Sequence, residues 1–203
     1  MKKQYGAILL AGGLSSRMGQ DKASLEIAGQ TLLERLLLVL HPLVAETVVI
    51  RAPGQSLPTI SQELHDWVRV GWDSVAGQGP LQGIVDALPL LSSEIDKVFL
   101  LTCDLPYLTG EWLETLRDIM TDEYDLVCTE EDNITNPLLA LYRRPVLEPA
   151  AKLLAEGKRR PFLLWEGWRM ARLSAPKKTP WICQDVNTPD DYKKAQRFFH
   201  EKE

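Results

Sequence analysis

The chain has 203 residues, 45% of them apolar and 25% charged, with 13 Gly and 13 Pro; this is the usage of an ordinary soluble globular protein and excludes a disordered chain, a collagen or a coiled coil. A domain of this length buries about 70% of the surface its unfolded chain exposes, so one domain over residues 1–203 needs neither a disulfide nor a structural metal. The formal charge of −5 argues against a dedicated nucleic-acid binder, and no stretch approaches the roughly 18–20 apolar residues of a membrane span.

Short runs rich in Val, Ile and Leu alternate with longer segments of helical spacing, the pattern of βα units around a parallel sheet. Residues 5–11 predict the first buried strand. Thr31 is placed to cap a helix over 31–40, with Glu34 three residues on as in a capping box and Leu32, Leu33, Leu36, Leu37 and Leu40 on one face. Strands are predicted at 47–51, 98–102, 124–129, 138–142 and 181–186. Helices are predicted at 81–91, 111–120, 146–155 and 189–201, the last with Thr188 as cap and Pro189 in the first turn. The fold class is therefore α/β, a three-layer Rossmann-like arrangement around a mostly parallel sheet.

Cys103, Cys128 and Cys183 are far apart, as are His41, His65 and His200, so no zinc-ligand spacing exists. Sparse cysteines suit a reducing cytoplasm. The apolar run after Met1, Lys2 and Lys3 leads into Gly12, Gly13, Arg17 and Lys22 rather than a small-residue cleavage site, which argues against a secretion signal. Charge is uneven: residues 104–132 hold 10 acids and one base, and residues 143–178 hold 10 bases and three acids. The basic stretch could face an anionic ligand, although a charge run is more often a solvated face.

The segment that carries most chemistry is Leu10, Ala11, Gly12, Gly13, Leu14, Ser15, Ser16, Arg17, Met18, Gly19, Gln20, Asp21, Lys22, directly after the first strand. Its glycines let the backbone turn sharply and approach a ligand, so that successive N–H groups can cradle an anion. Arg17 offers a planar fork for phosphate oxygens and Lys22 a mobile charge. Five residues separate Gly13 from Gly19, and Gln20, Asp21 and Lys22 follow, so this is not a Walker A loop; nor does it contain Gly-x-Gly-x-x-Gly. Asp104 follows an apolar strand, with Pro106 two residues on, and a lone carboxylate at such an edge suits Mg²⁺ held jointly with phosphate oxygens. Asp185 or Asn187, at the end of the last predicted strand, could add an oxygen ligand. Lys158, Arg159 and Arg160 could clamp an acceptor phosphate or form a solvated turn. Cys103 reads as a small buried residue.

Ala11, Gly12 and Gly13 with Ser16, Arg17, Met18, Gly19, Asp21 and Lys22 resemble the signature loop of nucleotidyltransferases, and in detail that of the MobA-type molybdenum cofactor guanylyltransferases. The resemblance continues through Asp73 and Ser74, the run from Gly79 to Gly83, the run from Cys103 to Pro106, Leu139 to Tyr142 and Asp185 to Pro189. It implies transfer of GMP from GTP to the terminal phosphate of molybdopterin, with Mg²⁺ as cofactor and release of pyrophosphate. Downstream molybdoenzymes or their chaperones would be the product's recipients. Arg17, Lys22 and Asp104 would be the catalytic residues. Leu10, Ala11, Gly12, Gly13, Lys22, Asp73, Gly79, Pro80, Leu81 and Asp104 would bind the nucleotide, and Asp104 and Asn187 the metal. Such enzymes often carry Asn at the strand end where this chain has Arg51, so that contact is not carried over. Cytidylyltransferase relatives more often show Ala-Ala-Gly at the loop and Asp-Thr-Pro near the end, where this chain has Ala11, Gly12, Gly13 and Asn187, Thr188, Pro189. Transfer of CMP to the same acceptor, transfer to a sugar phosphate, or nucleotide sensing without catalysis are the alternatives.

Overall fold

The computed structural model describes residues 4–12, 20–177 and 179–201. Gly13 and Arg17 lie outside them. Among the described residues a seven-stranded sheet is built from β1 (Tyr5–Leu10), β4 (Glu46–Arg51), β5 (Val68–Trp72), β6 (Lys97–Thr102), β7 (Leu126–Glu131), β8 (Ile134–Arg143) and β9 (Met170–Ser174). Their order is β5-β4-β1-β6-β8-β7-β9. All neighbours run parallel except the two pairings made by β8, with β6 and with β7. The two-residue strands β2 (Glu26–Ile27) and β3 (Gln30–Thr31) form a separate hairpin.

Alternation along the strands divides the core between two faces, because successive side chains of a strand point to opposite sides. Ala7 and Leu9 of β1, Phe99 and Leu101 of β6 and Leu139 and Leu141 of β8 pack under α1 (Leu32–Leu40) and α4 (Gly110–Ile119). Ile8, Val98, Leu100, Ala140 and Tyr142 face the other way, under α3 (Pro80–Ala87), α5 (Arg144–Leu147) and α6 (Ala150–Ala155). Each leucine buried in this way contributes about 1.5–3 kcal/mol relative to leaving it exposed. The four-residue α2 (Gln62–His65) precedes β5, and α7 (Pro189–His200) closes the chain.

The helix ends follow local chemistry. Thr31 Oγ1 accepts from the Glu34 amide at 3.1 Å, as its spacing predicts, but the Glu34 carboxylate accepts from the Ser61 amide at 2.9 Å instead of closing a capping box. A full box does form at α7, where Thr188 and Asp191 exchange side chain and backbone bonds. Three expectations need correction. Residues 181–186 are not a strand: Pro180–Cys183 is a 3-10 turn, and Ile182, Cys183 and Val186 are apolar because they cover the core. The helix predicted over 146–155 is two, interrupted at Glu148 and Pro149. The edge strands β5 and β9 were not expected. No helix among the described residues is long and apolar enough to cross a membrane.

Candidate active site

The carboxyl ends of β1, β4, β5 and β6 share one edge of the sheet, and the strand order turns about β1, the place where open α/β sheets bind ligands. A cleft of about 600 Å³ opens there. Backbone bonds carry the pairing past the strand ends and fix its floor. The Ala11 amide donates to Ile50 O at 2.8 Å, the Cys103 amide to Leu10 O at 3.1 Å and the Asp73 amide to Arg51 O at 2.9 Å. Gly12 is demanded by this convergence: a Cβ there would lie 2.5 Å from the Ala52 amide nitrogen. Gly79, the N-cap of α3, has φ +75°, a conformation that L side chains rarely adopt.

Lys22, in a 3-10 turn (Lys22–Ser24), reaches across the floor. Its ammonium donates to Asp104 Oδ2 at 2.9 Å and to Asn187 Oδ1 at 2.5 Å. These partners are 82 and 165 residues away in sequence. Asn187 is brought there by the bond from the Val186 amide to Asp104 O at 2.9 Å, so the turn before α7 is docked on the end of β6. Of the two residues left open as a second oxygen ligand, Asn187 lines the cleft, whereas Asp185 is exposed and does not line it. Two hard oxygens from different elements thus converge on one cationic atom, a donor set that suits Mg²⁺ completed by substrate oxygens. Among the described residues no cluster of three or more His, Cys, Asp or Glu side chains could hold a metal unaided.

The cleft is also lined by Leu10, Ala11, Asp73, Gly79 and Pro80. Leu81 differs from expectation: its side chain is fully buried in the core, and Gly83, two residues on, faces the cleft in its place. Burial, and secondly the charge of Asp86, raises the Asp73 carboxyl from its ordinary value. Asp86 is itself held by the Ser74 amide at 2.8 Å and Gln82 Nε2 at 2.9 Å. Cys103 lies in the floor, but burial first and Asp104 second push its thiol to about 12, so no thiolate is available as a nucleophile.

The basic turn does not aim its side chains at the cleft. Arg159 Nη1 donates to Leu154 O at 3.1 Å and Lys158 O at 3.0 Å, closing the end of α6, and Lys158 pairs with Glu156 at 2.8 Å. Arg160 lies over the Phe162 ring, 5.9 Å from its centre. The small residues Ala52, Ala76 and Gly77 also line the cleft and went unrecognised in the sequence, since they carry no chemistry of their own.

Residues 7–171 match the family described as the MobA-like NTP transferase domain. A probable molybdenum cofactor guanylyltransferase of Bacillus cereus is 32% identical over 201 residues, covering 96% of each chain. Among solved structures, molybdopterin-guanine dinucleotide biosynthesis protein A of Archaeoglobus fulgidus superposes with a TM-score of 0.74 at 22% identity, over 97% of this chain and 99% of that one. The 4-diphosphocytidyl-2C-methyl-D-erythritol synthase of Anaerococcus prevotii gives 0.71 at 12% identity, over 98% of this chain and 100% of that one. These likenesses share the fold across enzymes named for different nucleotides, while the sequence match spans most of the chain: it belongs to the MobA-like NTP transferase family.

Proposed function

We propose that this cleft transfers GMP from GTP to the terminal phosphate of molybdopterin, releasing pyrophosphate. The observation that carries the reading is the meeting of Lys22, Asp104 and Asn187 at the carboxyl edge beside the β1 exit; the names of the curated relatives agree with it. The Leu10–Gly12 backbone and Asp73 bind the nucleoside, with Gly79, Pro80 and Gly83 at the start of α3 beside them. Lys22, with Arg17 and the amides of Gly12 and Gly13, takes up charge on the β and γ phosphates as pyrophosphate departs.

Asp104 and Asn187 are the residues that would hold Mg²⁺, which when bound offsets phosphate charge. An oxygen of the acceptor phosphate attacks the α-phosphorus in line, the bond to the bridging oxygen of the β-phosphate breaks, and pyrophosphate carries away the electron pair. A phosphate monoester is already ionised at neutral pH, so no protein base is needed. The chain's task is to hold two anions together in attack geometry. Its setting is the cytoplasm, where buried thiols stay reduced.

A thermal-shift panel of GTP, CTP, ATP and UTP with Mg²⁺ tests the nucleotide. At about 100 times the dissociation constant a ligand adds about 2.7 kcal/mol, a Tm increase of about 5–10 °C for a chain of this size. GTP gives the largest increase; a larger one with CTP would instead favour cytidylyl transfer.

A further inference from the structure

Arg51 ends β4 with its side chain 0% exposed, and a guanidinium is tolerated there only if its donors are engaged. They are, and by informative partners. Nε donates to Ser56 O at 3.2 Å, Nη1 donates to Ala11 O, and Nη2 bonds and pairs with Asp21 Oδ2. Ala11 stands where β1 leads into the glycine-rich segment, and Asp21 stands where the chain returns from it. Asp21 in turn caps the turn that bears Lys22, accepting from the Ala23 amide at 3.2 Å and from Ser24 Oγ at 2.9 Å. Arg51 itself does not line the cleft.

One rigid fork therefore ties both stems of the segment to the end of β4, and one stem carries the lysine that meets Asp104 and Asn187. The Arg51 carbonyl adds a third tie, accepting from the Asp73 amide at 2.9 Å. A lysine at this position could not replace the fork, because an ammonium cannot present coplanar donors to three separated oxygens. We infer that Arg51 is a positioning residue for nucleotide capture: through Ala11 and Asp21 it fixes where Lys22 presents its ammonium to the phosphates. The inference rests on the reading that the cleft takes a nucleoside triphosphate.

The test measures GTP affinity with Mg²⁺ by calorimetry for Arg51→Lys and Asp21→Asn, each made in the wild-type and in the Lys22→Met background, with circular dichroism to establish folding. If Arg51 acts through Lys22, each substitution weakens GTP binding about tenfold when Lys22 is present, the scale of one charge-assisted bond. In the Lys22→Met background the same substitutions change affinity less than about twofold. Folded variants that bind GTP like the wild type, or that lose the same factor in both backgrounds, would overturn the inference and leave Arg51 a core residue. Should Arg51→Lys fail to fold, Asp21→Asn decides alone, since the Asp21 side chain is 29% exposed and the change is isosteric. A wild-type protein that does not bind GTP would overturn the functional reading itself, and this inference with it.

Discussion

The ammonium of Lys22 lies 2.9 Å from the carboxylate of Asp104, joining the turn after the first strand to the end of β6. Both side chains are less than one fifth exposed, at 17% and 18%, so the pair sits in the cleft floor, partly shielded from water. The same Lys22 atom meets Asn187. One ammonium thus gathers three separated parts of the chain in the floor of the cleft.

Asp104→Asn is expected to keep the fold and lose turnover by about 100-fold or more, the scale of removing one preorganised electrostatic partner. The amide preserves volume and one oxygen but removes the negative charge, so Mg²⁺ dependence shifts to higher concentration. Pyrophosphate release across a Mg²⁺ titration checks this. Wild-type rate and wild-type Mg²⁺ dependence in the folded variant would reduce Asp104 to a turn residue.

A second prediction concerns acid stability, away from the cleft. Asp125 Oδ2 accepts from the Arg169 amide and Nε, both at 3.0 Å, and Oδ1 accepts from Nη2 at 2.9 Å, tying the start of β7 to the start of β9. Bonding to the Arg169 side chain, then to its backbone, lowers the Asp125 carboxyl from 3.8 to about 2. A depressed folded-state pKa favours the ionised form in the fold, so the stabilisation is present above about pH 4 and is lost as pH falls toward about 2. Asp125→Asn should lower Tm at neutral pH, and the gap to wild type should narrow as pH falls through that window. A gap that stays constant from neutral pH to pH 2 would contradict the assignment.

The cysteines give a third prediction. Cys103, Cys128 and Cys183 are all buried, and burial pushes each thiol to about 12. Iodoacetamide at about pH 8 should leave the folded protein unmodified over minutes and label the cysteines after denaturation, because the thiolate is the reacting form. Rapid labelling of Cys103 with loss of activity would show an accessible thiolate in the floor.

The central strands β1, β4 and β6 were legible because they are buried on both faces and read as unbroken apolar runs. The edge strands were not. β5 alternates Val68, Arg69, Val70 around Gly71, a residue that looks like a breaker but whose missing side chain makes room for Leu90 and Ile50. Residues 181–186 misled for the opposite reason: a short apolar run reads alike in a strand and in a covering turn. In the site, Asp104 could be named from residue type and its place after an apolar strand, and Lys22 from its place after the glycine-rich segment, whereas Asp185 and Asn187 could not be told apart by position, because the strand expected before them is a turn. The Arg51–Asp21 pair could not, since its sense depends on a contact 30 residues long in sequence that no local pattern encodes.

Guanylyl transfer itself is tested most directly by product identity. The protein is incubated with Mg²⁺, molybdopterin and an equimolar mixture of GTP, CTP, ATP and UTP, and the dinucleotide formed is identified by mass spectrometry alongside released pyrophosphate. The expected product is the guanine dinucleotide, with pyrophosphate released in equal amount. A cytosine dinucleotide as the main product, or no dinucleotide from a protein that binds GTP, would contradict it.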